Sequence, residues 1–217
     1  MRIIVPIKQV PETNAVKMDE ATGTMIREGV EAIINPLDLY SIETAITLRE
    51  SLPQGEVEVI AISMGPPKAL SALKEAIAMG IDSAVLISDR AFAGADTWST
   101  SYVLAAAVRK LGGGDLILCG ERATDGDTGQ VGPGIAAFLD LPVLSYVSKL
   151  VSVEGGLCKA HRLVEDGYEV LEMDLPGVLT VVKEVADPRL PTLRGKQRAK
   201  QTEIPVWSAD DLDVKPE

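Results

Sequence analysis

The sequence has few of the residues on which nucleophilic and metal chemistry depend. Only two cysteines and one histidine occur in 217 residues, so neither a disulfide scaffold nor a histidine metal cluster is expected. Cys119 and Cys158 lie in separate strand patterns, which favours free thiols in a reducing compartment. No apolar run approaches the roughly 20 residues of a membrane-spanning helix, and no signal-peptide layout opens the chain. These absences predict a cytoplasmic protein without a metal site or membrane insertion.

Aromatic residues are also scarce. They make up 4% of a chain that is 46% hydrophobic, so valine, isoleucine, leucine and alanine must build the core. That composition is typical of parallel strands buried on both faces. The formal net charge of -11 argues against non-specific binding of nucleic acid.

Up to residue 142, strand and helix patterns alternate. Runs of branched residues predict buried strands at 3–7, 57–62, 84–87 and 116–119. Helical spacing predicts helices at about 39–49, 67–79 and 97–111, and a fourth that starts within 127–131 and ends near 139, with Asp38 and Asp96 as N-caps and Gly80 as a stop. This alternation predicts an α/β fold, a mainly parallel sheet with helices on both faces of the Rossmann-like, adenine-nucleotide-binding kind.

The pattern changes after residue 142. Strand-like segments at 143–153, 157–164, 169–173 and 178–183 are separated by turn residues, which predicts antiparallel hairpins that extend the sheet. Residues 189–200 then contain five basic residues and no acidic one, and 203–217 is acidic. We therefore expect an α/β nucleotide-binding domain at 1–186, a surface loop at 187–200 and a poorly packed tail at 201–217.

A glycine-rich segment, 120–134, leaves the fourth strand and enters a helix. In open parallel sheets, ligands bind at the carboxyl ends of the strands, and the free N–H groups at a helix start suit phosphate. Gly126, Gly129 and Gly132 would let the backbone pass close to a ligand. Asp125 and Asp127 would either cap the helix or hold ribose hydroxyls. The segment matches neither a Walker A motif nor a dinucleotide fingerprint, so a capped helix entry explains it equally well.

Two further loops should reach the same sheet edge. They are 35–38 and 63–67, and Pro6 and Lys8 of the first strand should lie beside them. Each loop alone is explained by helix capping, and Met64 is as consistent with core packing as with contact to a planar ring. Their convergence favours an adenine-nucleotide site.

Direct catalysis has poor candidates. His161 falls in a surface strand pattern, and Cys119 is a buried strand residue with no histidine nearby in sequence to activate it. No nucleophile–base pair is visible, so we expect no catalytic residue, and any redox chemistry would need a cofactor.

Several motifs, in order, resemble those of electron-transfer flavoprotein beta subunits. They are VPIKQV at 5–10, INP at 34–36, AISMGP at 61–66, the 120–133 loop, AHRLVEDGYEVL at 160–171 and PGVLT at 176–180. The resemblance runs from the first strand to about Trp207.

The resemblance implies a heterodimer that carries electrons from an acyl-CoA or other dehydrogenase to an acceptor. An alpha subunit would hold the redox-active FAD and share it with this chain. The chain itself would bind AMP, or a second FAD that oxidises NADH if the protein is electron-bifurcating, and its 125–133 segment resembles the bifurcating group. The implied nucleotide-binding positions are Pro6, Asn35, Pro36, Leu37, Asp38, Met64, Ala123, Thr124, Asp125, Gly126, Asp127, Thr128, Gly129, Gln130, Val131, Gly132, Pro133 and Gly134.

Residues 187–193 (DPRLPTL) match the family's recognition loop, which makes Leu193 the expected anchor for a client dehydrogenase. A solvated basic loop is the other interpretation. Family members usually continue for some tens of residues beyond the 207–212 segment as an arm around the alpha subunit, and we expect that arm to be missing here.

Two other functions share such a sheet. A stand-alone regulator of the universal-stress type would end near residue 150 and has no use for the hairpins. An ATP pyrophosphatase would need a phosphate loop with a lysine or a metal-binding acidic pair, and neither is evident in the sequence.

Overall fold

The computed structural model describes residues 1–12, 17–18, 25–26, 32–53 and 55–214. The last three residues of the expected tail, 215–217, lie outside the described residues. The helices are α1 (Asp38–Ser51), α2 (Leu70–Met79), α3 (Thr97–Lys110), α4 (Val131–Leu139) and α5 (Leu193–Gln201). The strands are β1 (Arg2–Pro6), β2 (Gln9–Pro11), β3 (Lys17–Met18), β4 (Met25–Ile26), β5 (Ala32–Ile34), β6 (Glu58–Met64), β7 (Ser83–Ile87), β8 (Leu116–Gly120), β9 (Val143–Glu154), β10 (Leu157–Val164), β11 (Gly167–Asp174), β12 (Gly177–Val181) and β13 (Val206–Trp207).

Within the described residues, nine strands form one sheet in the order β11-β10-β9-β12-β8-β1-β6-β7-β13. Every neighbouring pair from β9 to β13 is parallel, whereas β9, β10 and β11 pair antiparallel. The central strand β1 has β6 on one side and β8 on the other, with Ile3 in register with Val59 and Leu116. The predicted α/β class, a mainly parallel sheet extended by antiparallel strands, is confirmed.

Both faces of the central parallel strands are buried, as the apolar run of β1 predicts. Side chains alternate between the faces of a strand, so Ile3 and Val5 pack with α1 and α2 while Ile4 packs with α3 and α4. Each fully buried isoleucine contributes about 1.5–3 kcal/mol relative to an exposed one. The parallel part of the sheet is therefore held between two helical layers.

Two of the predicted helix boundaries are confirmed and one is wrong. Asp96 caps α3, accepting a hydrogen bond from the Ser99 N–H at 2.8 Å, and Gly80 ends α2 at φ 142°. Asp38, however, is the first residue of α1 and makes no cap. Its carboxylate instead accepts a bond from the Lys8 N–H at 2.7 Å, because the loop after β1 lies against the start of α1.

The predicted hairpin position of β12 is also wrong. Residues 177–181 form a parallel strand between β8 and β9, with Val178 in register with both Ile117 and Val143. All five residues are buried, as expected of a central parallel strand. Only β9, β10 and β11 form the antiparallel extension.

The end of the chain is packed rather than loose. Residues 193–201 form a helix, and Arg198 donates hydrogen bonds to the carbonyl oxygens of Ile77 and Ile81 at 2.6 Å each. Strand β13 then pairs with β7, and Leu212 and Val214 are buried. The expectation of a surface loop followed by a poorly packed tail is therefore wrong for 193–214. Among the described residues, no helix is both long and apolar enough to cross a membrane.

Candidate functional site

The strand order reverses at β1. From β1 the chain passes through α1 to β6 and then to β7, before α3 returns it to β8 on the other side of β1. Helix α1 packs on one face of the sheet and α4 on the other. Connections therefore diverge from the carboxyl ends of β1 and β8, which creates a crevice where open α/β sheets bind ligands. Pro6 and Gly120 end these two strands.

The side chain of Asn35 joins the predicted loops across this crevice. Its amide nitrogen donates to the Asp38 carboxylate and to the Arg122 carbonyl oxygen, both at 2.9 Å. Its amide oxygen accepts a bond from the Thr124 N–H at 3.1 Å. We call this set, Asn35 and Asp38 with the backbone of Arg122 and Thr124, the Asn35 latch. Since Asn35 is buried and both of its amide groups are used, its side chain holds the 122–124 backbone in place.

Asp38 is the buried charged group of the latch. Burial raises the pKa of its carboxyl to about 7, against hydrogen bonds from the Lys8 N–H and the Asn35 amide that lower it. At 6% exposure Asp38 is almost wholly covered by the protein. Its contacts are to the protein, and they connect β1, α1 and the latch.

Gly120 allows β8 to approach α1 closely. A Cβ at this position would overlap the Asp38 carboxylate and lie 2.9 Å from the Leu37 carbonyl carbon. Any larger residue would push the start of α1 away from the sheet. Pro36 is exposed and Leu37 half-buried beside this contact, so they are the members of the 35–38 loop that face outward.

The loop from 121 to 130 is a tight turn held by ion pairs. The Ala123 carbonyl accepts hydrogen bonds from the N–H groups of Gly126 and Asp127, and Asp127 takes φ 56°. The Asp125 carboxylate pairs with Lys8 Nζ at 2.7 Å, and Asp127 pairs with Arg122 at 2.9 Å. These pairs offset the two negative charges that would otherwise repel a phosphate.

Helix α4 opens without a side-chain cap. The Gln130 carbonyl accepts the Gly134 N–H at 2.9 Å, while the Gln130 side-chain oxygen accepts the Thr97 hydroxyl at 2.7 Å. A Cβ on Gly132 would lie 2.5 Å from Thr180 Cγ2. The lack of a side chain at Gly132 therefore lets α4 pack closely on β12. The N–H groups of the first turn remain the phosphate-binding candidates.

A cavity of about 300 Å³ lies between the first turns of α3 and the length of α4. Only Gln130 and Gly134 of its lining were predicted from the sequence; the other five residues were not, although α3 follows β7 and so begins at the same sheet edge. A larger open groove, about 1220 Å³, lies between the ends of α1 and α2 and helix α5. This groove lies away from the crevice, and its Arg49 is already paired with Asp82 at 2.6 Å. The smaller cavity is lined by Thr97, Trp98, Ser101, Gln130, Gly134, Ala137 and Phe138.

Leu193, the predicted anchor for a partner, is exposed, and the segment before it is held by the ion pairs of Arg189. Leu193 is 87% and Leu190 85% exposed. Just before them, the Arg189 guanidinium bonds to both oxygens of Glu43 and to Glu50. Burial by itself raises the pKa of Glu43, but the bonds from Arg189 outweigh it and hold that pKa below its usual value. The two exposed leucines therefore lie on a segment that Arg189 connects to α1 through ion pairs.

The buried thiols are unsuited to nucleophilic attack. Cys119 and Cys158 are both free and buried, and burial raises the pKa of Cys158 to about 11. His161 stacks on Tyr168, with ring centroids 4.3 Å apart. Neither thiol is therefore a candidate nucleophile.

Comparison with known proteins agrees with the fold and with the motifs. The family model described as "Electron transfer flavoprotein domain" matches residues 22–212. The chain is 49% identical over 217 residues to the caffeyl-CoA reductase-Etf complex subunit CarD of Acetobacterium woodii, covering 100% of this chain and 82% of that protein. It is 50% identical over 215 residues to the electron transfer flavoprotein subunit beta of Thermoanaerobacterium thermosaccharolyticum, covering 99% and 81%. It is also 42% identical over 220 residues to protein FixA of Azorhizobium caulinodans, covering 99% and 77%. Because the match spans nearly the whole chain at such identity, the chain belongs to the electron transfer flavoprotein family.

Proposed function

We propose that this chain is the beta subunit of a heterodimeric electron transfer flavoprotein and that it binds an adenine nucleotide in the crevice between β1 and β8. The Asn35 latch carries the proposal, because it fixes the glycine-rich loop at the point where the strand order reverses. The relatives named as Etf and electron transfer flavoprotein subunits support the role. A universal-stress regulator is not favoured by these matches.

The residues present fit a nucleotide. The uncapped first turn of α4 offers N–H groups to a phosphate, and the space beside Gly126 is open, so the backbone there is free to contact a ligand. Pro36, Leu37 and Met64 line the same sheet edge and would contact the adenosine. Lys8 and Asp125, as an ion pair across the crevice, would orient the sugar.

The nucleotide is AMP or a second FAD. An AMP would be a structural ligand, whereas a bound FAD would supply the chemistry of accepting electrons from NADH. The cavity beside Thr97 and Trp98 shares Gln130 and Gly134 with the proposed site. Its volume of about 300 Å³ is that of the smallest ligand pockets. The cavity would therefore have room for a planar ring beyond the adenosine.

Nucleotide counting tests this proposal. The chain is co-expressed with its alpha subunit, the complex is purified, and FAD and AMP are released by denaturation and quantified. Two FAD per heterodimer with reduction by NADH would identify the bifurcating form, and one FAD plus one AMP the simple carrier. A complex with neither AMP nor a second FAD would refute the nucleotide site, and failure to pair with the alpha subunit would refute the beta-subunit role.

The recognition segment has its own part in this proposal. Leu193 would insert into an apolar pocket of a client dehydrogenase, because a single exposed leucine on a fixed segment loses little entropy on binding. The basic residues of α5 that follow it would meet an acidic surface on the client.

A further inference from the structure

One aromatic residue has a backbone conformation that bulky side chains disfavour. Tyr146, in strand β9, has φ 58°, which lies in the left-handed region that such residues rarely adopt. The other non-glycine residues with positive φ in the described part of the chain are all aspartates, which tolerate this region better. Backbone strain persists only where the surrounding structure imposes it, and it is concentrated at ligand sites.

A β-bulge imposes the conformation of Tyr146. The register between β9 and β12 shifts at Thr180, whose buried hydroxyl accepts a hydrogen bond from the Tyr146 N–H at 3.1 Å. Leu144 and Val147 are three positions apart, yet both pack in the same part of the core. Residues three apart in a regular strand face opposite sides, so the bulge has reset the alternation. Bulges redirect side chains in this way and are frequent beside active sites.

The redirected side chain reaches the glycine-rich loop. Tyr146 Oη lies 4.0 Å from the point where a Cβ on Gly129 would stand, and Gly129 comes two residues before α4 begins. The side chain is 51% exposed. In the described part of the chain, the N–H of Tyr146 is bonded to a side chain but its phenol is not. A phenol with a free donor therefore lies beside the start of α4.

The first turn of α4 has few donors of its own for a phosphate. Pro133 has no N–H, and the Gly134 N–H is already bonded to the Gln130 carbonyl oxygen at 2.9 Å. The N–H groups of Val131 and Gly132 are the donors that remain in this turn. A phosphate presents three strong acceptor oxygens, so these two groups leave acceptor sites unsatisfied.

The cations near the loop are already engaged. Lys8 is paired with Asp125 at 2.7 Å, and Arg122 is paired with Asp127 at 2.9 Å. A further donor to the phosphate must therefore come from elsewhere. The phenol of Tyr146 would supply it without adding charge.

We propose that the Tyr146 phenol is a phosphate-binding group of the nucleotide site and donates a hydrogen bond to the phosphate held at the start of α4. The inference rests on the proposed function, because it needs a nucleotide in the crevice. The bulge positions the phenol before the ligand binds, which lowers the entropy cost of binding. The strain at Tyr146 is thus maintained by the fold and serves the ligand.

Titration calorimetry with AMP and with FAD, which share the adenosine 5′-phosphate, tests the contact. Tyr146→Phe removes only the hydroxyl, and Tyr168→Phe makes the same change on β11, away from the crevice. For the nucleotide that the full chain binds, we expect Tyr146→Phe to weaken affinity at least tenfold, because a hydrogen bond to a charged group is lost. Tyr168→Phe should leave it unchanged. Equal affinities of the two variants would overturn this inference alone, whereas a folded unsubstituted chain that binds neither nucleotide would overturn the proposed nucleotide site as well.

Adenosine, which lacks the phosphate, identifies the part of the nucleotide that the phenol contacts. Its affinity is measured by displacement of the bound nucleotide, and it should be the same for Tyr146→Phe and for the unsubstituted chain. A loss as large as that for the nucleotide would place the phenol on the sugar or the base and would contradict the assignment to the phosphate.

A comparison of stabilities tests the role of the strain. Tyr146→Gly and Tyr168→Gly each remove a tyrosine ring that is about half exposed, but only Tyr146 has a positive φ. Because glycine adopts positive φ without steric cost, Tyr146→Gly should lower the urea midpoint less than Tyr168→Gly does. It should nevertheless weaken nucleotide binding at least tenfold. A lower midpoint for Tyr146→Gly than for Tyr168→Gly would contradict the inference that the strain at Tyr146 serves the ligand.

Discussion

Removal of the Asn35 side chain should both destabilise the chain and loosen the nucleotide loop. Asn35→Ala deletes two donated hydrogen bonds and one accepted bond. A buried hydrogen bond contributes about 1 kcal/mol, and one to a charged group about 1.5–3 kcal/mol. The Thr124 N–H and the Asp38 carboxylate would also each lose a partner. We therefore expect the free energy of unfolding to fall by about 3 kcal/mol.

The same energy should appear in ligand binding. If the latch holds the loop in its binding conformation, losing about 3 kcal/mol lowers nucleotide affinity by about a hundredfold, since 1.4 kcal/mol corresponds to a factor of ten. Calorimetric titration with AMP or FAD measures the affinity, and urea unfolding measures the stability.

Two further variants sharpen this test. Gln9→Ala removes hydrogen bonds to Ser71 and to the Lys68 carbonyl at the surface, and should cost less than about 1 kcal/mol with unchanged affinity. Asn35→Asp keeps the shape but sets a second carboxyl against Asp38, so its defect should shrink as the pH falls and one carboxyl is protonated. If Asn35→Ala behaved like Gln9→Ala in both assays, the reasoning about the latch would be refuted.

The remaining predictions concern the recognition segment and two ionisable groups. Leu193→Ala should slow electron transfer from a client dehydrogenase at least tenfold, whereas Leu190→Ala should change it little; equal effects in stopped-flow reduction would argue against Leu193 as the anchor. Arg189→Ala should cost about 3 kcal/mol in urea unfolding at pH 7, because it leaves the buried Glu43 carboxylate without its partner. The pKa of Glu43 is lowered in the folded chain, so this contribution is present above its unfolded pKa and is lost as the pH falls below about 4.5; a penalty that is the same at pH 7 and pH 3.5 would contradict it. Asp38 should change the free energy of unfolding with pH in the opposite direction. Because its folded pKa of about 7 exceeds the ordinary value of 3.8, its contribution to stability rises as the pH falls from 7 to 4. Asp38→Asn should therefore make the dependence of stability on pH flatter over this range.

Helix ends and strand faces could be predicted because their causes are local. Asp96 caps α3 through a bond to a residue three positions away, and Gly80 adopts the positive φ that ends α2. The alternation of Ile3 and Ile4 between the two faces follows from the pleat of a single strand. The position of the glycine-rich loop likewise follows from its place between a buried strand and a helix.

Three expectations failed where the partner of a residue lies far away in the sequence. Asp38 is of a residue type that often caps helices, but its carboxylate accepts a hydrogen bond from the Lys8 N–H, 30 positions away. Strand β12 follows a hairpin in the chain yet lies between β8 and β9, where all five of its residues, including Thr180, are buried. The basic residues near the end resembled a solvated loop, but Arg198 bonds to the carbonyl end of α2.

The sequence by itself therefore determined the class of fold, the family and the sheet edge at which we propose that a nucleotide binds, because periodicity, capping and ordered motifs are properties of short segments. The tertiary structure alone decided what each residue does there. The Asn35 side chain is hydrogen-bonded to backbone groups of a loop nearly 90 positions away, and Gly120 permits close contact with Asp38. Such roles depend on which distant segments meet, and that is set by the packing of the whole chain.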